Sequence, residues 1–225
     1  DPTISIQRGP FNKTYIPNYK YALVLDKKTK DLEKVSSSSQ KMSPFDIDIR
    51  ESFISSSVEG TVQYKVVTTY RNWKADDVRR WFMDTGIEVA DRLYFQYAMK
   101  SYPKIKKIKD MEVRDNQKKN TITLIENYEI SNFWSKSKDQ WKVNFNIFPN
   151  FKSYLPKPYY TVRKMPFDLG KNKMNISHKY ELKLNKNIEV KKDQGQFSEK
   201  AFDFSYKQDF KNKTYTFLTT LKMKK

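Results

Sequence analysis

Residues 57–102 constrain the fold more than any other stretch. They begin as a strand, Val58 to Tyr70, with Val62, Tyr64, Val66 and Tyr70 on one face and a β-branched run (Thr61, Val62, Val66, Val67, Thr68, Thr69) suited to a pleated surface. The chain turns at Arg71-Asn72-Trp73-Lys74. It continues as the one long helical pattern in the sequence, from Ala75 to Ser101. Val78, Trp81, Phe82, Thr85, Val89, Leu93 and Tyr97 recur near i, i+3, i+4 spacing, a stripe wide enough to lie on a sheet. Asp76 and Asp77 suit the positive end of the helix dipole, and Pro103 stops the helix. Gly86 inside it predicts a bend or a close contact. A helix of this kind must cover a sheet.

The rest reads as strands and loops. Tyr21–Leu25 is a short apolar run, expected to be a buried strand. Lys27–Lys34 is charged, and Ser36–Gln40 is flexible in composition. Phe45, Ile47, Ile49 and Phe53 alternate with Asp46, Asp48 and Arg50. Lys104–Val113 and the Ile122, Leu124, Tyr128, Ile130 alternation flank a turn at Asp115–Asn120, which predicts a hairpin. Trp141, Val143, Phe145 and Ile147 alternate before a Pro-rich loop. Met174, Ile176, His178, Tyr180, Leu182 and Leu184 form the cleanest strand, and Phe202–Tyr206 and Tyr215–Met223 form a last hairpin. The expected class is α+β, mostly β: antiparallel sheets of β-sandwich character with one long packing helix around 75–101. The expected organisation is a tail and linker at 1–40 and a β-rich domain at 41–225, divisible into a 41–135 α+β layer and a 136–225 sandwich half.

Composition narrows the chemistry. The 225 residues contain no Cys, which excludes disulfides, thiolate metal sites and a Cys nucleophile in this chain. Net charge is +18, but eight of the 44 basic residues are Arg and the other 36 are Lys. Lysine is a hydrated point charge, whereas arginine makes the bidentate phosphate and base contacts, so the bias argues against sequence-specific nucleic-acid binding. An anionic polymer would still be attracted at low salt. No apolar run is long enough to span a bilayer. The chain opens on Asp1-Pro2-Thr3 without an initiator Met or a signal-like segment, the start expected of a mature or excised fragment.

Sites are few. The single His, His178, lies mid-strand on an apolar face and reads as a hydrogen-bonded core residue. Asp46 and Asp48 are placed on a solvated strand face, and Asp76, Asp77, Arg79 and Arg80 at a helix end and on its solvated face. No phosphate loop, GxSxG or HExxH motif occurs, and no metal or cofactor is implied. Tyr154, Tyr159 and Tyr160, beside Lys152 and Arg163 in the Pro-rich loop, form a candidate ligand surface for sugars or single-stranded bases.

Several residues, in order, carry a family resemblance: Asp1-Pro2-Thr3, Tyr19–Asp26, Thr29, Leu32, Gly60, Tyr70, Ala75-Asp76, Arg79, Tyr102-Pro103, Glu126-Asn127-Tyr128, Phe133-Trp134, Arg163 and Pro166. This order resembles the C-terminal part of bacterial transglutaminase-like proteins, where β-rich domains of unknown function flank a papain-like core. The resemblance implies that Asp1 is a remnant of a Cys-His-Asp triad whose other members lie upstream. It also implies an exported, periplasmic or secreted protein, and a non-catalytic accessory domain whose partners are the upstream core and a protein or glycan. The alternative from charge is an independent binding module for an anionic partner, cell-envelope polymer or nucleic acid.

Overall fold

The computed structural model describes residues 21–22, 31–34, 46–138, 140–145, 175–200 and 202–224. Asp1, Lys152, Tyr154, Tyr159, Tyr160 and Arg163 lie outside the described residues, as does the body of the Pro-rich loop.

The fold is α+β and mostly β. Strand β1 (Tyr21–Ala22) pairs with β2 (Glu33–Lys34) in a two-residue ladder. Tyr21 is 57% exposed, so the expected buried strand does not begin there. Next come β3 (Ile47–Ser55), β4 (Val62–Arg71), helices α1 (Trp73–Thr85) and α2 (Ile87–Ser101), β5 (Ile105–Asn116) and β6 (Thr121–Ile130). A small separate ribbon follows, β7 (Ser135–Ser137) with β8 (Gln140–Lys142). The chain ends with β9 (Ile176–Leu184), β10 (Asp193–Ser198), β11 (Phe202–Lys211) and β12 (Thr214–Met223).

Eight strands form one sheet in the order β10-β11-β12-β9-β3-β4-β6-β5. Adjacent strands are antiparallel except β3 and β9, which pair in parallel from Ile47↔Ile176 to Ser55↔Leu184. That central pair joins the first half of the chain to the second. The predicted hairpins 105–130 and 202–223 are both present, the latter closing through Asn212 and Lys213 at positive φ.

One face of the sheet is apolar and aromatic. Phe53 is fully buried at its centre, stacked on Tyr64 at 4.5 Å and on Phe133 at 5.2 Å. Val62, Ile130, Tyr128, Tyr180 and Leu182 surround it on neighbouring strands. The burial of so large a ring means that Phe53→Ala would cost about 3–5 kcal/mol. Helix α1 packs Ala75, Val78 and Phe82 onto Ile122, Leu124 and Met111 farther along the same sheet.

The single long helix of the sequence reading is two helices. Gly86 divides them at φ 83°, ψ 146°, donating its N–H to the Phe82 carbonyl at 2.9 Å and accepting from the Ala90 N–H at 3.1 Å. Only Gly adopts this backbone region without strain. The break also rephases the buried stripe. Up to Gly86 it follows the expected positions Val78 and Phe82. Beyond it the buried positions are Ala90, Asp91 and Ala98, while Leu93 and Tyr97 are 44% and 41% exposed.

Candidate functional site

Rephasing α2 has a direct consequence. The residues it buries against the sheet are short, Ala90, Asp91 and Ala98, while Tyr94 and Phe95 pack at the flanks. A cavity of about 110 Å³ lies between α2 and strands β3, β4, β6 and β9. Ile47, Ile49, Val66 and Ala98 supply an apolar floor and wall. Glu51, Thr68, Glu126, His178 and Ser101 supply polar groups, and Tyr64, Tyr70, Tyr94, Tyr97 and Tyr102 supply rings and hydroxyls. The part-exposed Tyr97 marks its solvent side.

The polar groups form one connected network. Glu51 sits mid-β3 beside His178 and Tyr180 of β9 on one side and Tyr64 of β4 on the other. Its carboxylate accepts from the Tyr64 hydroxyl at 2.7 Å and from His178 Nε2 at 2.8 Å. With Nε2 donating, His178 Nδ1 is left to accept from the Tyr180 hydroxyl at 3.4 Å, and the two rings stack at 4.3 Å. Burial, then the charge of Glu51, pushes the Tyr64, Tyr102 and Tyr180 hydroxyls well above the usual tyrosine range. They stay protonated and serve as donors.

Glu126 is the second carboxylate. It is 5% exposed and accepts from the Tyr128 hydroxyl at 2.6 Å. Burial pushes its pKa up to about 7, and the negative charges of Glu51 and Asp91 add to the rise, while the Tyr128 hydrogen bond opposes it. Asp91 of α2 is itself held by Lys107 of β5 at 2.6 Å. Among the described residues, the cavity wall holds two glutamates and a histidine but no Lys or Arg.

The structure places His178 as its sequence pattern suggests, buried at 5% exposure and hydrogen-bonded. It corrects the helix-end cluster. Asp76 and Arg79 are 3% and 6% exposed rather than solvated. Arg79 donates to Asp76 at 2.8 Å, to Asn120 at 2.5 Å and to Asp115 at 2.7 Å, fastening α1 to the β5–β6 turn, where Asn120 has φ 46°. This cluster is structural and saturated. Asp77 pairs with Lys74 at the surface. Asp48 lies on the polar face of β3 near Arg71, at 3.7 Å. Asp46 instead accepts from the Asn175 N–H at 2.9 Å, clamping β3 to the start of β9.

Sequence reasoning missed Glu51 and Glu126 as site residues. Their signal was present as gaps. Glu51 falls in register with Ile47, Ile49 and Phe53, and Glu126 with Ile122, Leu124, Tyr128 and Ile130. An acid in the apolar register of a central strand is drawn away from solvent, Glu126 fully and Glu51 in part, and such acids cluster at functional sites. No group of His, Cys, Asp and Glu among the described residues has metal-binding geometry. Comparison with protein families, with curated proteins and with solved structures finds no match to this chain.

Proposed function

We propose that this chain is a non-catalytic binding domain that takes a small ligand into the cavity beneath α2. The observation that carries the reading is convergence: four strands and a helix direct two carboxylates, a histidine and five tyrosines at one partly enclosed space. Concave, aromatic-lined sites with a few convergent polar groups are the usual form of small-molecule pockets. Binding rather than catalysis is favoured by the partners of the Glu51–His178 pair. They are tyrosine hydroxyls whose protons burial holds in place, so the pair orients donors and activates no nucleophile.

The test is an amide NMR screen with small cationic, neutral and anionic fragments. Saturable shifts confined to Tyr94, Ala98, Ser101 and His178 are the expected result. Fragments of every charge leaving those signals unmoved would overturn the reading.

The family context belongs to the same proposal. The ordered matches from Asp1 to Pro166 support an accessory domain beside a papain-like core in an exported bacterial protein, with Asp1 as the triad remnant. Sequence encoded upstream of Asp1 decides it: a Cys and a His there support the context, and their absence removes it.

A second reading, an anionic polymer on the outer sheet face, has one favourable observation. Arg50, Lys179 and Lys207 lie in one cross-strand row, with Leu218 between the two lysines. Asp48, Glu181 and Asp209 interleave on that face and dilute its field. Binding to polyanions that falls steeply with salt would support it, with a slope of about 0.7–0.9 log units per phosphate neutralised. Undetectable binding in low-salt buffer would end it.

A further inference from the structure

We propose that the cavity beneath α2 is a site for a small organic cation, a primary ammonium on a short alkyl stem. The inference rests on the binding reading above and names the ligand class. Charge is the first argument. The chain carries 44 Lys and Arg residues. Even so, its cavity is walled, among the described residues, by carboxylates and tyrosine rings with His178 as the sole basic group. Elsewhere in the same molecule buried acids have basic partners: Asp76 has Arg79, and Asp91 has Lys107. Glu126 instead faces the cavity hydrogen-bonded to a tyrosine hydroxyl, and Glu51 to a tyrosine hydroxyl and to His178, a base charged only when protonated. Two nearby carboxylates under one helix repel each other, and an entering cation relieves that repulsion.

Size and surface chemistry agree. A cavity of about 150 Å³ admits a benzene-sized molecule, so one of 110 Å³ suits a group of roughly four heavy atoms. The carboxylates and hydroxyls of Glu51, Glu126, Thr68 and Ser101 can accept the three ammonium N–H bonds. Ile49 and Val66 meet the alkyl stem, and tyrosine rings at the rim favour a cation over a neutral group.

Binding should then be linked to protons. The groups that surround Glu126 are Glu51 from β3, Tyr64 from β4, Tyr128 beside it, His178 from β9, and Asp91, paired with Lys107, from α2. Near neutral pH Glu126 is part protonated, and a cation selects its ionised form. Affinity for an ammonium therefore rises as pH increases from 6 toward 8, and affinity for a neutral ligand does not.

The experiment titrates the full chain with three small probes, propylammonium and propan-1-ol, which match in shape, and propionate, which carries one heavy atom more, at matched ionic strength, following cavity amide signals by NMR. Propylammonium is expected to bind at least tenfold more tightly than propan-1-ol, with propionate leaving the cavity signals unmoved. The variant Glu126→Gln, which keeps the side chain's shape and removes the buried charge, should lose that preference for propylammonium over propan-1-ol. If propan-1-ol or propionate binds in the cavity as tightly as propylammonium, the cation assignment falls and the binding domain stands. If none of the three moves these signals, both fall. Equal propylammonium affinity in Glu126→Gln and the parent also overturns the assignment.

Discussion

At the scale of single residues, Glu126 is costly to the fold. Its carboxyl group titrates near 4.5 when unfolded and about 7 when folded. The folded state therefore holds the proton more tightly, so stability is greatest below the unfolded value and is lost as pH rises through 7. A shift of this size corresponds to about 3 kcal/mol at alkaline pH. Urea unfolding of Glu126→Gln should show a variant more stable than the parent by about that amount near pH 8, with the gap closing near pH 4. A constant offset at both pH values would contradict a titrating origin. Such a residue in a central strand fits a group that serves binding rather than stability. Arg79 is the opposite case, a buried ion that holds the fold together. Arg79→Ala takes the guanidinium away from buried Asp76, which keeps only neutral donors such as Asn120, and should cost about 3–5 kcal/mol in the same assay. Arg79→Lys should recover little of this, because one ammonium cannot reproduce the planar fork that reaches Asp76, Asn120 and Asp115 together.

At the scale of elements, Gly86 decides where α2 points. An added Cβ there would meet nothing within 4 Å, so the effect of Gly86→Ala is conformational rather than steric. It should destabilise the protein by about 1–3 kcal/mol, the cost of holding a non-glycine residue at this backbone angle, measured by thermal or chemical unfolding. An unchanged stability would mean that the two helices can join without it. The same residue explains where helical periodicity failed. Periodicity alone makes the stripe from Val78 to Tyr97 one face, and a change of phase at a single glycine carries no periodic signature. Strands were more legible because alternation is local: Ile176–Leu184 could be read residue by residue. Strand β10, Asp193-Gln194-Gly195-Gln196-Phe197-Ser198, was not, since it is a polar edge strand with little apolar pattern. It pairs through a glycine over which the Tyr206 ring packs, so a side chain at Gly195 would displace that ring.

At the scale of the molecule, one sheet running through β3 and β9 unites both halves of the described chain. Alternation predicts which residues face inward but not which strands pair, and the parallel β3–β9 contact joins segments more than a hundred residues apart in sequence. The cavity depends on that pairing, because it brings Glu51 against His178, while β4 and β6 bring Glu126 to the other wall. The site was therefore visible in the sequence only as an isolated histidine and two acids out of pattern. A continuous sheet also predicts a single cooperative transition: tryptophan fluorescence, reporting Trp73, Trp81, Trp134 and Trp141, and far-ultraviolet circular dichroism should give coincident denaturation curves. Separate midpoints would mean that the halves unfold independently. The most direct measurement is a pH titration of the Glu126 side-chain carboxyl carbon by NMR, alone and with saturating propylammonium. A midpoint near 7 in the free protein that falls toward the ordinary carboxylate range with propylammonium is the expected result. A midpoint that propylammonium leaves unchanged would contradict a cation site beneath α2.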